Sequence, residues 1–153
     1  MKILGIIGGM SPESTATYYT EINRLVNQKK GGNISAPIVM VSVEFEEIVQ
    51  CQKQSEWQRA GEILAEAGKK LEMIGAEGIV LATNTMHKVA PQIERALSIP
   101  FLHILDATAN AIKSRGLNKV ALLGTKFTMS DNFYRDGLIV RGITPIVPNE
   151  DTQ

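Results

Sequence analysis

Short runs rich in Ile, Val and Leu recur along the chain, with longer amphipathic segments between them. The runs are ILGIIGG from Ile3, APIVMVSV from Ala36, EGIVLAT from Glu77, IPFLHIL from Ile99, KVALLGT from Lys119 and GITPIVP from Gly142. Runs of this length and composition read as strands buried on both faces of a sheet. After Gln54, the residues Trp57, Ala60, Leu64, Ala67, Leu71 and Ile74 recur at three- and four-residue spacing, so one helix face is apolar. Tyr18, Ile22, Leu25 and Val26 repeat that pattern after Pro12. Strand, helix, strand in this order implies an α/β fold: a parallel, Rossmann-like βαβ sheet with helices on both faces.

Composition narrows the function. The chain has 153 residues, 44% of them hydrophobic, and its 16 basic residues balance 16 acidic ones. It can bury a core, and it has no charge bias toward nucleic acid or an anionic membrane surface. No stretch approaches the roughly 20 apolar residues of a membrane helix. The run after Met1 and Lys2 is short, glycine-rich and without a small-residue cleavage pattern, so a targeting leader is not expected. A single cysteine, Cys51, excludes an internal disulfide framework. It fits a reducing, cytoplasmic compartment and reads as a structural thiol.

Chemistry in such a sheet gathers at the carboxyl ends of the strands, where loops meet helix N-termini. GGMSPEST, Gly8 to Thr15, has paired glycines that let backbone approach a ligand, Ser11 as a cap, Pro12 for the first helical position and Glu13 in the first turn. Its glycines do not spell a dinucleotide fingerprint, and no lysine followed by Ser or Thr closes a phosphate loop. A simple strand-to-helix turn is the plain alternative. In ATNTMHK, Asn84 offers donors and acceptors, and Thr83 and Thr85 add hydroxyls. Helix capping explains these residues equally well. His87 reads as a helix-terminus or packing residue, or as a proton carrier near neutral pH. GTKFTM brings Thr125 and Thr128, suited to a carboxylate or to another cap.

Taken together, GGMSPEST, VEFEEI with QCQ, AEGIVLATNTMHK, and LLGTKFTM followed by NFYR closely resemble the cofactor-independent aspartate/glutamate racemase family, over essentially the whole chain. The resemblance implies two similar α/β domains facing each other across a substrate cleft, commonly in a homodimer. Two cysteines on opposite faces of the substrate move the α-proton, without pyridoxal phosphate or metal. Thr83 stands where the first of those cysteines belongs, a known variation. Asn84 and Thr85 match the substrate-contacting pair, and Met10 and Gln52 match positions lining the same pocket. Ser11 and Thr125 add hydroxyls suited to a small dicarboxylic amino acid.

The chain departs from that pattern twice. Thr83 replaces a thiol, and the GCTE-like segment bearing the other cysteine is expected beyond Gln153. A truncated form is therefore expected, with 1–103 making most of the first domain and 104–153 the first, incomplete part of the second. GITPIVP is expected to lack strand neighbours. Two thiols suit the reaction because a group of pKa about 8.5 serves as either acid or base near neutral pH, whereas an alkanol is a far weaker acid. The resemblance favours interconversion of L- and D-aspartate or glutamate. A catalytically silent amino-acid or carboxylate-binding module of the same fold is the alternative, and a decarboxylase or hydantoin racemase a weaker one.

Overall fold

The computed structural model describes residues 1–148. It divides into two compact units, one spanning Met1–Leu102 and a second beginning at His103. The first holds β1 (Leu4–Gly8), α1 (Pro12–Lys30), β2 (Ile38–Ser42), α2 (Phe45–Lys53), α3 (Trp57–Met73), β3 (Ile79–Leu81), a 3-10 turn (Thr85–Val89), α4 (Ala90–Ala96) and β4 (Phe101–Leu102). The strands pair in parallel in the order β2-β1-β3-β4, with Ile6 opposite Met40 on one side and Val80 on the other.

Alternation along β1 assigns the two sheet faces. Gly8 lies against Thr15 of α1, whereas Ile7 reaches Gly68 of α3. On the α3 face, Ile7, Ile79 and Leu81 join Leu64, Leu71, Met86 and Ile93 in one buried core. Each such side chain stabilises by roughly 1.5–3 kcal/mol when fully withdrawn from water. The α3 stripe follows the sequence pattern: Ala60, Leu64, Ala67 and Leu71 are buried, while Ile74 lies beyond the helix and is exposed.

The α1 face follows the expectation only in part, with Tyr18, Ile22 and Val26 half-buried. Leu25 is 54% exposed, and Thr15 alone is fully buried along the helix. Length explains it: the 19 residues of α1 span about 28 Å. The five residues of β1 or β2 span about 17 Å. The C-terminal half of the helix therefore overshoots the sheet. There Asn23 accepts a hydrogen bond from the Ala36 amide at 2.9 Å and fastens the returning loop. Met40 and Leu102 on this face are also exposed, so these strands are not buried on both sides.

In the second unit, α5 (Ile104–Lys113), β5 (Lys119–Ala121), α6 (Lys126–Ser130), α7 (Asn132–Val140) and β6 (Thr144–Ile146) surround a smaller core of Leu105, Leu122, Tyr134, Leu138 and Ile143. Two expectations are corrected here. GITPIVP does not stand without neighbours, because β6 pairs in parallel with β5. IPFLHIL yields only a two-residue strand, because His103 ends it: its Nδ1 accepts the Leu105 amide at 3.1 Å and caps α5.

Candidate active site

Strand order dictates where a ligand can approach the first unit. From β1 the chain crosses through α1 to β2, then returns through α2 and α3 on the opposite face to β3, on the other side of β1. The crossovers diverge between β1 and β3, and in open α/β sheets a ligand usually sits outside the carboxyl ends of the strands at such a point. Two of the loops singled out in the sequence end there, Gly8–Ser11 after β1 and Ala82–Thr85 after β3.

The β1 loop is built on contact. Gly9 has φ +97, a conformation that favours glycine, and an added Cβ would overlap the Val43 carbonyl. Ser11 caps α1, its Oγ accepting from the Ser14 amide at 3.3 Å, so its capping role is real. Its hydroxyl hydrogen remains to be donated. Met10 is 7% exposed and belongs to the core with Ile48 and Met86.

The β3 loop is held as firmly. The Ala82 amide donates to Ile7 O and the Thr83 amide to Leu81 O, both at 2.9 Å. His87 Nδ1 lies 2.7 Å from Thr83 O. A carbonyl only accepts, so Nδ1 carries the hydrogen. The ring is 2% exposed and tilts against Phe101 at 5.8 Å. Among the described residues none hydrogen-bonds the half-buried Thr83 hydroxyl. Asn84 is exposed, and its side chain makes no cap bond although it precedes the 3-10 turn. Helix capping therefore does not use Asn84. Gln52, late in α2, donates to Met86 Sδ at 3.0 Å, which brings it beside the turn that carries Thr85.

Other residues take different roles. Thr125 lies in the second unit and is exposed, with Oγ1 accepting from the Thr128 amide at 3.3 Å and its carbonyl from Met129 at 3.1 Å. Both bonds are those of a helix start. Cys51 is 2% exposed within the α3-side core. Sequence reasoning overlooked Ser14 and Thr15, whose hydroxyls bind Ala82 O and the Gly9 amide. Their hydroxyls in the first turn of α1, directly after paired glycines, were the available signal. Among the described residues no helix is long and apolar enough to cross a membrane.

Known proteins are similar to this chain. The broad specificity amino-acid racemase RacX of Bacillus subtilis (strain 168) is 27% identical over 135 residues, which cover 87% of this chain and 59% of RacX. A Yersinia pestis structure, provisionally named an Asp/Glu racemase, superposes with a TM-score of 0.96 at 51% identity, over 99% of this chain and 66% of that one. PH1733, an aspartate racemase homologue from Pyrococcus horikoshii OT3, gives 0.88 at 38% identity over the same shares. The chain thus spans less than two thirds of the length of RacX and about two thirds of these solved chains. Residues 7–153 match the Asp/Glu/hydantoin racemase family, and the chain belongs to it.

Proposed function

We propose that this chain forms one wall of a cofactor-independent racemase site for aspartate or glutamate, with Thr83 facing the α-carbon. The observation that carries the reading is the state of Thr83. Its backbone is bound on both sides inside the protein, while no described residue engages its hydroxyl, at the carboxyl end of β3. The adjoining Asn84 amide and the Thr85 and Ser11 hydroxyls hold the substrate's charged ends, with Met10 and Gln52 shaping the pocket.

Racemisation breaks the α C–H bond, leaves its electron pair delocalised into the neighbouring carboxylate, and returns a proton on the opposite face. Thr83 donates to or positions the reacting centre on its face. Removal of the proton from the other face falls to a stronger base, and Cys51 does not fill that place because it lies in the core. His87 serves as a brace of the loop, since its Nδ1 hydrogen is committed to Thr83 O. The protein works as a cytoplasmic homodimer without pyridoxal phosphate or metal. Calorimetry with aspartate, glutamate and alanine tests the substrate class, and equal affinity for alanine would contradict it.

The same observations favour one second reading. An alkanol at Thr83 and a buried sole thiol suit a binding module that holds the amino acid without moving its proton. Tight aspartate binding with no α-proton exchange by the full encoded protein would select that reading.

A further inference from the structure

Ser14 and Thr15 are neighbours in the first turn of α1, yet their hydroxyls serve different loops. Thr15 Oγ1 donates to Ser11 O and accepts from the Gly9 amide, both at 2.9 Å, and so fixes the loop after β1. Ser14 Oγ donates to Ala82 O at 3.1 Å, across 68 positions of sequence. A Ser or Thr hydroxyl within a helix commonly returns to the carbonyl four residues earlier. Thr15 and Thr17 do so, to Ser11 O and Glu13 O. Ser14 instead leaves its own helix for the residue directly before Thr83.

That bond completes a set. The Ala82 amide is held by Ile7 O, the Thr83 amide by Leu81 O and the Thr83 carbonyl by His87, so Ser14 fixes the last backbone polar group of the dipeptide. Capping of α1 does not require it, because the cap is Ser11. We infer that Ser14 is a positioning residue: by holding the Ala82 carbonyl it sets the Thr83 hydroxyl against the Gly9–Ser11 loop without touching the substrate. The inference rests on the racemase reading of the site and adds the element that ties its two loops together.

The test compares Ser14→Ala and Ser14→Thr with the full encoded protein, following α-proton exchange of aspartate in deuterium oxide. Small misplacements of a reacting group cost up to about a hundredfold in rate. The alanine variant should lose about tenfold or more in kcat with KM within about threefold, and the threonine variant should recover most of the loss. A purely stabilising side chain would lower Tm and leave kcat below the transition unchanged, which would overturn the proposal. Backbone amide NMR of the same proteins separates the two levels of inference. Ser14→Ala should shift the Thr83 and Asn84 amides and speed their hydrogen exchange, and unmoved amides would overturn the clamp. If the unmodified protein exchanges no α-proton, the racemase reading fails, and the amide spectra alone decide whether Ser14 holds the loop.

Discussion

Thr83 shows how far single residues can be read. Its place after an apolar strand and before Asn84 was legible from ATNTMHK, as was the choice between capping and ligand binding. The capping half of that choice turns on three-dimensional facts: Asn84 makes no cap bond, whereas Thr125, similar in sequence context, makes one. The His87 brace was not legible, because the direction of a ring in a short 3-10 turn depends on Phe101 and on the Thr83 carbonyl behind it. Replacing His87 with Ala should remove that bond and open a buried space, costing roughly 1–3 kcal/mol by denaturant titration. A variant as stable as the original would contradict the brace. Cys51→Ser should leave α-proton exchange unchanged and lower stability by about 1–3 kcal/mol, since a hydroxyl replaces a buried thiol. Loss of exchange without loss of stability would move Cys51 into the chemistry.

At the scale of elements, hydrophobic spacing gave α3 its buried face from Ala60 to Leu71 but ran one residue past its end at Ile74. Leu64→Ala, at a fully buried position, should cost about 2–5 kcal/mol. The same spacing held only in part for α1, where Tyr18, Ile22 and Val26 are half-buried and Leu25 is exposed, since periodicity says nothing about how long the facing sheet is. The short helix α2 escaped notice because VEFEEI follows a strand directly and its Glu44 cap lies in the same run. Gly9→Ala should be severe: the φ strain alone costs about 1–3 kcal/mol, and the added carbon would overlap the Val43 carbonyl. Its purified yield and Tm should fall together, and a near-native Tm would refute the contact. The α5 cap carries a pH dependence. Burial, then the Arg141 guanidinium, hold the His103 imidazole below its ordinary range, with Asp106 opposing in part. The folded state thus binds fewer protons than the unfolded chain as pH falls through about 6.5. This contribution is intact above that pH and is lost below it, until the folded ring also protonates. His103→Asn keeps a capping acceptor, so its Tm should decline less on acidification; parallel curves would contradict the account.

For the molecule as a whole, the alternation of runs was enough to foresee a parallel α/β sheet, and four modest motifs in order were enough to foresee the family. Pairing was harder: β6 looked isolated in GITPIVP, yet it finds β5 in register from Lys119 and Thr144 onward. Strand partners depend on the path of intervening helices, which local composition does not encode. The proposed homodimer should appear in sedimentation of the full encoded protein as a species of twice the monomer mass, and a concentration-independent monomer would exclude it. The central claim is that Thr83 faces the α-carbon and makes the two directions of racemisation unequal. Proton NMR of L- and D-aspartate in deuterium oxide, with the full encoded protein and its Thr83→Cys variant, tests it directly. The unmodified protein should exchange the α-proton of one enantiomer faster than that of the other by about a hundredfold or more, the usual effect of a missing acid or base, and Thr83→Cys should narrow the gap by raising the slow direction. Equal exchange of both enantiomers by the unmodified protein, or a gap that Thr83→Cys leaves untouched, would contradict it.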